Sequence, residues 1–228
     1  MINMERITVL LAEDHQMVRE GLRSLLKRES DIEVVGEAET GRQAVAMVKK
    51  LRPAVVLMDI AMPLLNGLEA TRQILETVPA TKVLTLSAHS DDAYVKEAIA
   101  AGAMGFLLKQ TSSHAVCEAI REVQKGNTFF SPSVARRLHQ LDGTLPNASG
   151  LPPSGNARLS SREMEVLQLV AEGKANKQTA AELGISVKTV EKHREKVMSK
   201  LHIHDTAGLT RYAIGAGVIE SCVQVTIV

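Results

Sequence analysis

Five short aliphatic runs, separated by stretches with helical spacing, constrain the first 125 residues of this 228-residue chain more than any other feature. The runs are ITVLLAE, IEVVGEA, AVVLMDI, KVLTLSA and GFLLK. Each is too short for a helix of ordinary length and rich in aliphatic residues, so each reads as a buried strand. Between them apolar residues recur at helical spacing, as in Val18, Leu22, Leu25 and Leu26, then Ala44, Val48 and Leu51, and later Val116, Ala119, Ile120 and Val123. Parallel strands need crossover connections, and helices supply them, so the pattern implies a five-stranded parallel sheet covered on both faces.

A second pattern begins where the first stops. Residues 131 to 141 read as one more helix, with Ser131 as cap and Pro132 in its first turn. GTLPNASGLPPSGNA, residues 143 to 157, has no periodicity and reads as an exposed linker. From Leu159 four short helical patterns follow: SREMEVLQLVAEG, NKQTAAELG, SVKTVEKHREKVMSKL and DTAGLTRYAIGAG. Gly173 stands where a left-handed C-cap is needed, and Asn176, Ser186 and Asp205 where N-caps are needed. The expected organisation is therefore an α/β domain over 1–126, a helix and linker over 127–157, an all-α domain over 158–219 and a tail over 220–228. In the tail, the alternation of Val223, Val225 and Ile227 fits either an edge strand or a packed terminus.

Composition narrows the setting. Two cysteines, Cys117 and Cys222, make no disulfide framework and no metal-binding CxxC spacing. The start of the chain lacks the features of a signal peptide and no apolar run is long enough to span a membrane, so a cytoplasmic location is expected. Residues 174 to 200 carry seven basic and three acidic side chains, a local excess that attracts phosphate backbones.

In an open parallel sheet, ligands bind beyond the carboxyl ends of the strands. Here those ends bear Glu13 and Asp14 (first run), Asp59 (third), Ser87 (fourth) and Lys109 (fifth). Any one of these alone would pass for a solvated strand end, but five at compatible positions point to one pocket. Three carboxylates together repel unless a cation joins them, and oxygen ligands suit a hard divalent ion, most simply Mg2+. Such a site can use one carboxylate as nucleophile toward a phosphoryl group, and Asp59, central and preceded by AVVLM, is the natural acceptor. Lys109 and Ser87 would then meet the phosphoryl oxygens. A phosphatase using the same nucleophile would need a second acid two residues later, where Ala61 stands.

LLAEDH, LMDIAMPLLNG, LTLSAH and GFLLK together resemble the motifs of bacterial response-regulator receiver domains, in order and spacing, across residues 6 to 126. The resemblance implies a flavodoxin-like sheet of strand order 2-1-3-4-5 with Asp59 as the phosphorylation site. It also implies Asp14, Asp59 and the Ala61 carbonyl as ligands of Mg2+, and Glu13 as an outer acid of that metal site. Ser87 and Lys109 become phosphoryl contacts, and Phe106 the aromatic that swings as Ser87 moves. Ser87 stands at a position often Thr, and Phe106 lacks the hydroxyl of the Tyr common there.

In the second half, NKQTAAELGISVKTVEKHREKVMSKL holds two helical patterns split at Gly184, the spacing of a helix-turn-helix. In the second of these, Val187, Val190, Val197, Met198 and Leu201 line one face, while Lys188, Glu191, Lys192 and Glu195 recur on the other. Read as a recognition helix, Lys192 would donate to guanine and Glu191 accept from cytosine, while Lys188, Arg194, Lys196 and Lys200 would meet phosphates. Lys177, Thr189 and Glu195 are further candidate DNA contacts, and Ser186 marks a helix amino terminus that favours phosphate. The stretch from LSSREMEVL to KVMSKL resembles the LuxR-type domain of the NarL/FixJ subfamily of response regulators. That resemblance implies a third helix in the major groove and pairing through the fourth, about residues 205 to 216. Glu191 and Glu195 replace Lys of some relatives, so their operator does not transfer. The expected partners are DNA half-sites, a sensor histidine kinase, a second copy on phosphorylation and RNA polymerase. The expected role is regulatory, not enzymatic.

Overall fold

The computed structural model describes residues 6–88, 92–131, 134–135 and 159–219. The chain divides into two compact units at residues 151/152.

In the first unit β1 (Ile7–Ala12), β2 (Ile32–Ala38), β3 (Val55–Asp59), β4 (Lys82–Ser87) and β5 (Gly105–Leu108) form a parallel sheet, alternating in sequence with α1 (Gln16–Leu26), α2 (Gly41–Leu51), α3 (Gly67–Thr77), α4 (Asp92–Ala100) and α5 (Ser113–Gln124). A two-residue strand, β6 (Phe129–Phe130), pairs with β5 and extends the order to β2-β1-β3-β4-β5-β6. This sixth strand is an addition to the five expected, and two residues are too few to show a period in sequence.

The wholly apolar run of β3 is buried throughout, whereas β2, expected to be a buried strand, lies at the sheet edge with only Ile32 and Ala38 buried. Alternate strand residues supply two cores. Val9, Leu11, Leu57, Leu84 and Leu107 pack with Val116, Ile120 and Val123 of α5 on one face. Leu10, Val56, Met58 and Val83 pack with Ala44, Val48 and Ile74 of α2 and α3 on the other. Truncating any of these leucines to alanine would cost about 2–5 kcal/mol.

The helix expected at 131–141 is described at two residues. Val134 and Ala135 are helical, and their N–H groups both donate to the Ser131 carbonyl at 2.9 Å. The rest of that helix, the linker at 143–157 and the tail with Val223, Val225 and Ile227 lie outside the described residues.

The second unit has four helices: α6 (Ser161–Ala171), α7 (Asn176–Leu183), α8 (Val187–Leu201) and α9 (Thr206–Gly215). α8 packs on α6 and α7, and α9 packs on α6. Gly173 takes φ +81 just past α6, as expected of a left-handed cap. Gly184 takes φ +63 in the turn between α7 and α8, a conformation that a β-carbon disfavours. Ser186 and Asp205 cap α8 and α9 by accepting from the N–H groups of Thr189 and Gly208.

Two local expectations are corrected. α7 starts one residue early, with Ala175 at the cap position, and the Ala175 N–H donates to Gln178 Oε1 at 2.9 Å. Asn176 is instead the first helical residue, and its Oδ1 accepts from Arg194 Nη1. Val187 does not join the apolar face of α8; it is 40% exposed, while Val190 and Val197 are buried. No helix among the described residues is long and apolar enough to cross a membrane.

Candidate functional site

The carboxyl ends of β1, β3 and β5 bring Glu13, Asp14, Asp59 and Lys109 together. One ligand atom from each of Glu13, Asp14, His15 and Asp59 lies within 4.8 Å of the others. Lys109 Nζ stands 3.0 Å from Asp59 Oδ2 and 3.0 Å from both Glu13 oxygens. Two carboxylates therefore share one ammonium, with Asp14 beside them. Ser87 ends β4 and is buried, and its carbonyl accepts the Lys109 N–H at 2.8 Å, so the fourth and fifth strand ends are tied beside the cluster.

Asp59 sits where it does because the chain turns sharply beyond it. Ile60 N–H donates to Leu86 O of β4, and Gly67 N–H reaches back to Ile60 O at 2.8 Å, closing the loop that carries Ala61. A β-carbon at Gly67 would lie 1.8 Å from the Asp59 carbonyl, so only glycine admits this approach. No backbone N–H among the described residues claims the Ala61 carbonyl.

Electrostatics mark the cluster as strained. Burial pushes the Asp59 carboxyl up, the Glu13 charge adds to this, and Lys109 opposes it, leaving Asp59 at about 7. Burial pulls Lys109 down, but the Asp59 charge and the hydrogen bond to Glu13 outweigh it and raise its pKa, keeping the ammonium protonated. Glu13 Oε2, Asp14 Oδ1 and Asp59 Oδ2 are buried and, for all their ionic contacts, make no hydrogen bond of acceptable geometry. Buried carboxylate oxygens left in this condition fit a hard divalent cation, which would supply the missing positive charge.

Phe106 is fully buried, packed with Ile60, Leu68, Val95 and Val134. Two residues at the site escaped the sequence reading. His15 Nδ1 lies 2.8 Å from Asp14 Oδ1 and 3.2 Å from Glu13 Oε1, and the Asp14 charge raises its pKa. Arg19 is buried and donates to the Glu13 carbonyl at 2.7 Å while pairing with Glu37 and Glu39, so it braces the turn that presents Glu13 and Asp14. The adjacency of His15 to the acidic pair was the available signal; Arg19 looked like any helical arginine.

In the second unit Lys177, Ser186, Lys188, Glu191, Lys192, Glu195 and Lys196 are exposed, and Thr189 is half-buried beside the Ser186 hydroxyl. Arg194 and Lys200 are placed differently. Arg194 donates to Asn176 and to Thr206 Oγ1, and Lys200 Nζ donates to Glu163 Oε2 at 2.7 Å.

Comparison with known proteins agrees with this division of labour. Residues 9–121 match the response regulator receiver domain, and residues 157–213 match the bacterial regulatory proteins of the luxR family. The chain is 39% identical over 212 residues to the transcriptional regulatory protein LiaR of Bacillus subtilis, covering 91% of this chain and 96% of LiaR. It is 37% identical over 214 residues to the response regulator protein VraR of Staphylococcus aureus, covering 94% and 99%. A solved complex of the two-component response regulator RcsB with DNA superposes with a TM-score of 0.57 at 27% identity, covering 91% of this chain and 98% of RcsB. The chain thus belongs to the NarL/FixJ-type two-component response regulators, with a receiver domain followed by a LuxR-type helix-turn-helix domain.

Proposed function

We propose that the protein is a cytoplasmic transcription regulator switched by phosphorylation of Asp59. The observation that carries this reading is the cluster in which Lys109 bridges Asp59 and Glu13 while buried carboxylate oxygens make ionic contacts but no hydrogen bond. Asp14, Asp59 and the Ala61 carbonyl would hold Mg2+, with Glu13 beside them. When bound, the metal neutralises charge that gathers on a transferring phosphoryl group.

An Asp59 carboxylate oxygen attacks phosphorus of a phosphohistidine kinase or of a small phosphodonor. The new O–P bond forms as the bond to the donor breaks, and the donor keeps that electron pair. Lys109, already protonated, pairs with a phosphoryl oxygen, and Ser87 donates to another. The phosphoryl group adds about two negative charges. Lys109 is drawn toward it, Ser87 moves, and Phe106 follows. Turning a mostly inactive population into a mostly active one takes about 5.5 kcal/mol of differential stabilisation.

The output is dimerisation, with α9 as the pairing helix of the DNA-binding unit, where Ile214 is 38% exposed. Two α8 helices then enter successive major grooves. Lys192 and Glu191 read bases, Glu195 and Thr189 face the same groove, and Lys177, Lys188, Lys196 and the α8 amino terminus at Ser186 meet phosphates. RNA polymerase is the further partner at the promoter.

A binding selection on random DNA, run on the full chain with and without acetyl phosphate and Mg2+, tests the reading. It should return a two-half-site operator bound at least tenfold more tightly with phosphodonor. Equal enrichment in both arms would contradict it.

A further inference from the structure

The recognition helix must be held at a fixed angle for its base contacts to register, and its apolar stripe alone is narrow: Val190 and Val197 are its two buried residues. A polar contact completes the anchoring. Ser160 caps α6 by accepting from the Glu163 N–H, and Glu163 Oε2 accepts in return from the Ser160 N–H at 2.8 Å. The same oxygen receives Lys200 Nζ at 2.7 Å from the last turn of α8. Glu163 is 5% exposed at its side chain and Lys200 34%, so the pair lies against the domain and not on its open face. One carboxylate thus joins the start of the first helix to the end of the recognition helix. A parallel contact steadies the other end of the motif, where Arg162 pairs with Glu165 and donates to the Leu183 carbonyl at the end of α7.

Lys200 carries a charge of the sign that DNA attracts, and by sequence it belongs with Lys188 and Lys196. The geometry points to a different role: Lys200 is a positioning residue that clasps the recognition helix to the Glu163 cap, and it is not one of the phosphate contacts. This deepens the DNA-binding reading above and rests on it for its functional consequence. The physical distinction is sharp. A phosphate contact releases counterions, so its loss flattens the dependence of affinity on salt by about 0.9 per phosphate. A positioning residue releases none, and its loss lowers affinity equally at every salt concentration.

The test uses the full chain with Lys200→Gln, Glu163→Gln, the double variant, Lys200→Arg and, as the phosphate-contact reference, Lys196→Gln. Operator affinity is measured from low to high salt. Lys200→Gln should weaken binding about tenfold throughout, as loss of one aligned base contact would, with the log–log slope unchanged. Lys196→Gln should reduce the slope by about 2 for a dimer. Glu163→Gln should weaken binding as Lys200→Gln does, and Lys200→Arg should restore most of it. Melting of the DNA-binding unit, followed without DNA, should fall by about 4 °C in each single variant and no further in the double. A flattened slope in Lys200→Gln would overturn the assignment, as would tighter binding by Glu163→Gln, which would mean that the carboxylate merely competes with DNA for Lys200. Because the melting cycle needs no DNA, failure of the DNA-binding reading would leave the coupling between the two variants intact, whereas failure of the clasp would leave their effects simply additive.

Discussion

The acid cluster of the receiver and the buried acids of the DNA-binding unit are held in opposite ways. In the receiver, Glu13 and Asp59 are buried with Asp14 beside them, one lysine serves the cluster, and oxygen atoms on all three lack proper hydrogen bonds. In the DNA-binding unit, Glu163 and Glu165 are also buried, yet Glu163 is held by Ser160 and Lys200 and Glu165 by Arg162. The first arrangement leaves buried carboxylate oxygens without hydrogen bonds, as the proposed metal and phosphoryl site requires. The second is complete in itself and fixes a shape. Burial of charge alone therefore says little; whether the charge is satisfied separates a reactive site from a structural one.

Removing Lys109, the lysine of the acid cluster, should have the largest effect on that contrast. Lys109→Met leaves Glu13 and Asp59 facing each other, and at pH 8 without divalent metal it should destabilise the receiver by about 3 kcal/mol, measured by urea unfolding. A cost no larger than that of Lys200→Gln would erase the difference between the two units.

Removing the central charge should act in the opposite direction. The Asp59 carboxyl rises from 3.8 to about 7 in the folded chain, mainly through burial. Between those limits the folded receiver retains a proton that the unfolded chain has released, so metal-free stability falls as pH rises through the window. Asp59→Asn escapes this and should be more stable than wild type by on the order of 2 kcal/mol above pH 7. The gain should fade toward about pH 4, where both states are protonated. A gain independent of pH would place its origin elsewhere.

The smallest effect sharpens the other side. Thr179 is fully buried in the DNA-binding unit, and its hydroxyl has no hydrogen-bond partner among the described residues. Thr179→Val should raise the stability of that unit by about 1 kcal/mol, read from its thermal midpoint. A clear loss would show that the hydroxyl has a partner after all.

Much of this was legible in the sequence, for identifiable reasons. Strands such as VVLMD announce themselves because a strand covered on both faces must be apolar throughout. The acid cluster was legible because parallel strands all deliver their ends to one edge of the sheet, so Glu13, Asp59 and Lys109 converge although Lys109 lies 96 residues from Glu13. What escaped depends on chain direction within turns and on contacts between helices. Arg19 braces Glu13 only because α1 folds back over the end of β1. Asn176 looked like a cap, but it is drawn into the helix, where it meets Arg194. Lys200 reads in sequence as a charge free for DNA, because sequence shows its charge but not the Glu163 carboxylate, 37 residues away, that pairs with it.

The proposed switch depends most heavily on Asp59 as the phosphoryl acceptor. Incubating the full chain with acetyl phosphate and following the intact mass tests this directly. With Mg2+, the wild-type protein should gain a single acid-stable, base-labile phosphoryl group that reduction maps to Asp59, and chelation of the metal should prevent the gain. Uptake of the same group by Asp59→Asn, or uptake by the wild type at an undiminished rate in chelator, would contradict it.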